Sequence, residues 1–245
     1  MTGDCLVDEI ADGIYRISTH VSHVPVPEGM SINQFLVLAD EPLLFHTGLR
    51  SMFAEVSAAV GRVVPVDRLR WLSFGHVEAD ECGSMNQFAA LVPNLRVCFG
   101  AVGCLMSVSD LADAATRPLA EGDVLDVGGR RLRQVPTPHA PHNWEAQVLY
   151  EEVTQTLLCG DLVSQLGAGP PLTRDDSLVE RALDAEAALR SAVPGHTVPR
   201  ILRRLAELEP DTVAVMHGSS YAGDGGSLLR SLADEWDGHL RCDVA

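Results

Sequence analysis

Apolar and polar residues alternate from Gly13 to Thr19, the two-residue rhythm of a half-buried strand. Gln34 to Ala39 and Pro42 to Phe45 are further apolar runs, joined by Asp40-Glu41, which predicts a hairpin. Met52 to Val60 changes to helical spacing. From there the rhythm becomes strand then helix. Leu69 to Phe74 reads as a buried strand, Cys82 to Leu91 as a helix, Arg96 to Phe99 as a strand, and Val102 to Ala115 as a helix. Gly128-Gly129 separates two strand-like runs, Asp123 to Val127 and Arg131 to Val135, and marks a second hairpin. Gln147 to Tyr150 and Thr156 to Cys159 pair around a polar turn. Ser177 to Ser191 and Pro199 to Leu208 are amphipathic helices broken at Pro194-Gly195. Thr212 to Met216 is a last strand and Ser227 to Trp236 a last helix.

Strands lead each half and helices follow, with no linker of low complexity and no solenoid repeat. The pattern predicts one α/β domain over residues 1–245, with two sheets packed together and helices outside. Its length of 245 residues and its 46% hydrophobic content suffice for a sizeable core.

Charge narrows the partners. Lys and Arg number 18 against 34 Asp and Glu, for a net charge of −16. Such a chain disfavours nucleic acid and anionic membranes and tolerates cations. No apolar stretch approaches a membrane span. The N-terminus lacks the basic and apolar regions of a signal peptide. The cysteines (Cys5, Cys82, Cys98, Cys104, Cys159 and Cys242) are scattered, with no C-x-x-C pair. That fits a reducing cytoplasm rather than a disulfide or zinc-ribbon framework.

The densest chemistry is His76-Val77-Glu78-Ala79-Asp80-Glu81, directly after the strand ending near Phe74. On extended backbone, alternate residues project the same way, so His76, Glu78 and Asp80 are expected to converge. A helix there would rotate Glu78 away. Three more segments set a potential ligand at a strand end: Pro138 to Trp144 with His142, Leu157 to Leu162 with Asp161, and Val213 to Gly218 with His217. Strand ends in an alternating sheet–helix protein are a usual place for a site. Each feature alone also has a plain structural reading: a solvated acidic loop, a turn histidine, a helix N-cap at Asp161, a strand terminus at His217. Together they give three imidazoles and three carboxylates and no thiolate. Six ligands exceed one tetrahedral ion and suit two, with Asp161, which stands alone, as the bridge. Hard oxygen donors mixed with imidazole suit iron or manganese more than structural zinc.

The order His-x-Glu-x-Asp, His, Gly-Asp, His-Gly resembles the metallo-β-lactamase superfamily, from about Gly13 to about His217. The resemblance implies a four-layer αβ/βα sandwich with a dinuclear site at one edge of the sheets. Hydrolytic branches carry His-x-His-x-Asp-His, whereas this chain has Glu78 and Glu81 in place of the second and last histidines. Glu78 resembles the flavodiiron and oxygen-binding diiron branches, and His76 to Ser84 is most similar to the latter. The interval from His142 to Asp161 is similar to the flavodiiron spacing, which selects His142 over His139 as the ligand. By resemblance His76, Glu78 and His142 would hold one iron, and Asp80 and His217 the other, with Asp161 between them. Flavodiiron proteins carry a flavodoxin domain after this module. The chain ends at Ala245 without one, so a reductase of this kind is expected to need an external electron donor.

The expected cofactor is two iron ions, with zinc or manganese as alternatives. Glu81, His139 and Tyr221 are candidate catalytic or proton-supplying groups beside the ligands, and Trp144 is expected to pack over the pocket. Glu81 could equally be a salt-bridged surface acid. His20 and His23 lie on a Pro-rich loop that could cap the site. His46, in the position of an Asp-x-Gly aspartate, is expected to give structural support, and Cys82 to be a buried thiol. Binding or reduction of O2 or NO is the leading function. A dinuclear hydrolase of an ester, thioester or lactam is the alternative, a gas sensor that signals through a partner is a third reading, and a degenerate scaffold a fourth. A homodimer stays open.

Overall fold

The computed structural model describes residues 5–22 and 26–242, with side chains to residue 238. The expectation for His23 lies outside the described residues. Two seven-stranded sheets carry the fold. The first runs in chain order through β1 (Leu6–Ala11), β2 (Ile14–Val21), β3 (Met30–Val37), β4 (Leu43–Phe45), β5 (Trp71–Ser73), β6 (Arg96–Gly100) and β7 (Ala115–Leu119). β1 to β4 are antiparallel neighbours, whereas β4 to β7 pair in parallel. Its helices are α1 (Phe53–Gly61), α2 (Ala79–Cys82), α3 (Met85–Leu91), α4 (Ala101–Gly103) and α5 (Ser109–Leu111), the last two joined by a π-helical turn.

The second sheet contains β8 (Val124–Asp126), β9 (Arg131–Pro136), β10 (Gln147–Glu151), β11 (Thr156–Leu158), β12 (Leu172–Thr173), β13 (Thr212–Ala214) and β14 (Ser220–Ala222), in the order β12-β14-β13-β11-β10-β9-β8. β8 to β11 form an antiparallel meander, and β11 pairs in parallel with β13. α6 (Leu178–Leu189), α7 (Thr197–Ala206) and α8 (Gly225–Cys242) accompany it.

Three apolar clusters hold four layers together. Phe35, Phe45 and Cys98 of the first sheet meet Leu132, Leu149, Leu158 and Ala214 of the second. The outer face of the first sheet packs on α1 and α3 through Leu44, Leu72, Val56 and Phe88. The outer face of the second packs on α6 to α8 through Val148, Leu157, Leu202 and Leu229. Fully burying side chains of this kind contributes roughly 1.5–3 kcal/mol each. The αβ/βα sandwich implied by the motif order is therefore the observed build.

Several boundaries differ from the sequence expectation. The helix read over Cys82 to Leu91 divides at Gly83-Ser84. Ser84 N–H donates to Gly48 O at 3.0 Å and to Thr47 Oγ1 at 3.2 Å, and these tertiary bonds replace helical ones. The helix read over Val102 to Ala115 stops at Leu111, and Ala115 opens β7, which adds to the free edge of β6. β1, β12 and β14 carry no clear period of their own and exist through pairing. Among the described residues, no helix is long and apolar enough to cross a membrane.

Candidate metal centre

The site lies where β5, β11 and β13 end. β5 gives way to Gly75-His76-Val77-Glu78, where the chain bends and Glu78 N–H donates to His76 O at 3.0 Å; only Glu78 itself is extended (φ −138°, ψ 156°) before α2 begins. This tight turn, and not the expected extended run, brings His76 and Glu78 together, with His76 Nε2 2.7 Å from Glu78 Oε2. Asp80 departs from the expected extended run. It sits in the first turn of α2 and faces the other half of the site, 3.3 Å from His217 Nε2. The helix starts one residue too late to rotate Glu78 away. Glu145 Oε1 accepts from Val77 N–H at 3.0 Å and fixes this loop.

His142 arrives from a tight turn between β9 and β10. Its Nε2 lies 2.9 Å from His76 Nε2 and 3.0 Å from Glu78 Oε2. Asp161 follows β11 through Gly160. One ligand atom each from His76, Glu78, His142 and Asp161 falls within a mutual 4.8 Å. Asp161 also reaches the second half: Oδ2 is 3.8 Å from both His76 Nε2 and His142 Nε2, while Oδ1 is 3.3 Å from His217 Nε2. All six residues expected to converge do so, as two groups that share Asp161.

Glu81 is fully buried, which removes the surface-acid reading. Its carboxylate accepts from His76 N–H at 2.6 Å and stands 3.2 Å from His76 Nδ1 and 3.4 Å from His46 Nε2. Gly75 and Gly160 make room for it. A Cβ at Gly75 would meet both Glu81 oxygens at 3.0 Å, and one at Gly160 would meet Oε1 at 3.3 Å. His46 is buried with φ 65°, and its Nδ1 lies 3.2 Å from Asn33 O. It supports Glu81 from behind, as expected of a structural histidine.

Two other candidates are not brought to the cluster. His139 lies on the exposed side of the turn that carries His142, where its backbone N–H donates to Asn143 O at 2.8 Å. Tyr221, on β14, pairs with Val213, one position before the end of β13. Its hydroxyl lies against Gly223 and its ring is in the helix-side core, so it is a packing residue. His20 is exposed at the end of β2 beside Gly29. Trp144 is exposed and lines a groove next to Glu145 rather than covering the cluster. Cys82 Sγ donates to Glu78 O at 3.2 Å, and burial, then Glu81, pushes its thiol up to about 12.

Some working residues carried no signal of their own. The Ser31 carbonyl on β3 accepts from His217 Nδ1 at 2.7 Å, and Ser31 Oγ accepts from Gly218 N–H at 2.7 Å. Thr47 N–H donates to Glu81 O at 2.6 Å. Such contacts come from distant strands and follow from the fold alone. Glu145 could have been found, because it shares a segment with His142.

The electrostatics follow from crowding acceptors. His217 Nδ1 faces a carbonyl and so carries a proton, which leaves its Nε2 lone pair opposite Asp80 and Asp161. His76 Nδ1 faces Glu81, which leaves its Nε2 lone pair opposite Glu78 and His142. Converging lone pairs and carboxylate oxygens require a cation, either a proton or a metal. Burial alone would lower His76, but Glu81, Glu78 and Asp161 outweigh it and push it up to about 12. Burial also opposes protonation of His217, and Asp161 and Asp80 raise it well above the usual range. Hydrogen bonds from His142 and then His76 hold Glu78 well below the carboxylate range. Asp80 Oδ1 and Asp161 Oδ1 are buried without a hydrogen-bond partner. This donor set fits divalent cations: buried oxygen and imidazole acceptors, two of them orphaned, face one another in two adjacent groups.

A family model described as ODP family beta lactamase matches residues 30–218, which include all six clustered residues. The chain belongs to this family.

No curated protein matches this family member's sequence. Solved structures do match its fold. The flavodiiron protein from Giardia intestinalis superposes with a TM-score of 0.81 at 18% identity, covering 94% of this chain and 59% of that one. The Flv1 flavodiiron core from Synechocystis gives 0.83 at 20%, covering 95% and 60%. A fragment of a putative diflavin flavoprotein from Nostoc gives 0.83 at 19%, covering 98% of both chains. The chain thus spans about 60% of the length of the flavodiiron chains it matches.

Proposed function

We propose that the cluster holds two iron ions and that the protein binds or reduces O2 or NO. The observation that carries this reading is the divided carboxylate of Asp161, with one oxygen toward His76 and His142 and the other toward His217. His76, Glu78 and His142 would hold one ion, Asp80 and His217 the second, and Asp161 both. Two ferrous ions side by side supply electrons and exchangeable positions for a diatomic gas. The chain's own groups set the frame. The Ser31 carbonyl holds the proton at His217 Nδ1, and Glu81, which accepts from His76 N–H, sets its other oxygen 3.2 Å from His76 Nδ1, so both Nε2 atoms face the cluster. Glu78 is half-exposed and His142 partly so, and this pair forms the open mouth of the site.

The core shared between the sheets supports one domain, and the acidic charge and the scattered cysteine positions support a cytoplasmic setting. The fold is shared with a rubredoxin oxygen:oxidoreductase from Desulfovibrio gigas, which supports an external electron donor for turnover.

The test is the optical response of protein purified and reduced without oxygen. A visible band on exposure to O2 or NO, with gas consumption when a donor is present, is expected. Zinc content with turnover of p-nitrophenyl esters would replace this reading with the hydrolase.

A further inference from the structure

A second feature touches the cluster from the helix side. A cavity of about 30 Å³ lies between the loop after β11 and helices α6 to α8. One water needs roughly 10–15 Å³, so the space exceeds a single water. Asp161 and Val163 wall it on the loop side, Ala182 and Ala185 on α6, Leu202 on α7 and Trp236 on α8. Of the six clustered residues only Asp161 belongs to this wall.

The sequence explains the space. Ala182 and Ala185 are three residues apart and so share one face of α6. Both are buried and both end at a methyl group, where a leucine would fill the gap. Val163 adopts φ 64°, an unusual conformation for a β-branched residue. Its carbonyl is held there by Gln165 Nε2 at 2.7 Å. Glu186 and Ser191 also border the cavity but are hydrogen-bonded to each other at 3.0 Å. Ser164 adds a buried Oγ without a hydrogen-bond partner, and the rest of the lining is mostly hydrocarbon, of the kind that accepts small apolar guests.

We propose that this cavity is a binding site for a small apolar gas beside Asp161. The identity of the gas rests on the dinuclear-iron reading. The affinity for an apolar gas does not.

Xenon is the probe. The chemical shift of dissolved xenon is followed against protein concentration for the purified chain and for Ala185→Leu, with thermal melting to confirm that the variant folds. A specific shift in the unaltered protein that disappears in the variant is the expected result. The same shift in both, or none in the unaltered protein, overturns the proposal. If Ala185→Leu does not fold, Ala182→Val is expected to weaken the xenon shift in the same way, and an unchanged shift is equally fatal. Protein that contains no iron would overturn the dinuclear-iron reading and leave the xenon result standing.

Discussion

His76 Nδ1 stands 3.2 Å from Glu81 Oε1, and both side chains are buried. This contact fixes which nitrogen of His76 is free and which way its ring faces. Glu81 therefore acts through His76, and the two glycines that flank its carboxylate allow it to sit that close.

Glu81→Gln keeps the shape and an acceptor oxygen but removes the charge. The variant should retain both metal ions, with affinity lowered about tenfold, in line with other partners of metal-bound histidines. Chelator competition measures this. Complete loss of metal would make Glu81 a ligand in its own right.

Arg130 ties the second sheet to the first. Its Nε donates to Leu38 O at 2.8 Å, its Nη2 to Asp12 O at 2.6 Å, and its Nη1 lies 3.4 Å from the buried Glu151 carboxylate. Arg130→Met should destabilise the fold by about 3 kcal/mol, because a buried carboxylate loses its counter-charge. Urea unfolding checks the figure, and metal content in the folded fraction should not change.

Glu152 is held below the usual carboxylate range by hydrogen bonds from Arg131 and Arg133. A lowered acid stabilises the fold above its unfolded pKa, and that contribution fades as pH falls through the folded value. Glu152→Gln should therefore cost under about 1 kcal/mol at neutral pH, the usual size for a partly solvated pair. The difference from the unaltered protein should vanish in acid. Unfolding curves at pH 7 and pH 3 decide it.

Cys82 directly follows Glu81 in the chain. With its pKa pushed up to about 12, its thiolate fraction at pH 8 is on the order of one in ten thousand. Iodoacetamide at pH 8 should leave Cys82 unmodified in the folded protein and label it after unfolding. Rapid labelling of the folded chain would contradict the packing described.

Much of this site was legible because its residues carry their chemistry in short segments at strand ends. His76, Glu78, Asp161 and His217 come shortly after apolar runs that identify the strands, and His142 comes after a Pro-rich turn. Asp80 was found as a ligand candidate, but its direction was not, since the helix start after Glu78 depends on contacts such as that of Val77 with Glu145. Tyr221 illustrates the opposite failure. Nearness in sequence to His217 suggested nearness in space, but the turn at Gly218 sends β14 back along β13 and carries the hydroxyl away. Ser31 and Thr47 were invisible because their contacts with His217, Gly218 and Glu81 join segments distant in sequence and follow from the fold. In the fold, the strands with clear alternation were read correctly, whereas β7 and β14 form because neighbouring edges offer them partners.

The central claim is a pair of metal ions joined by Asp161. Iron and zinc per chain, measured on protein purified without oxygen for the unaltered chain and for Asp161→Asn, tests it most directly. Two irons in the former and fewer than one in the latter are predicted. A single ion in the unaltered chain, or two ions retained by Asp161→Asn, would contradict it.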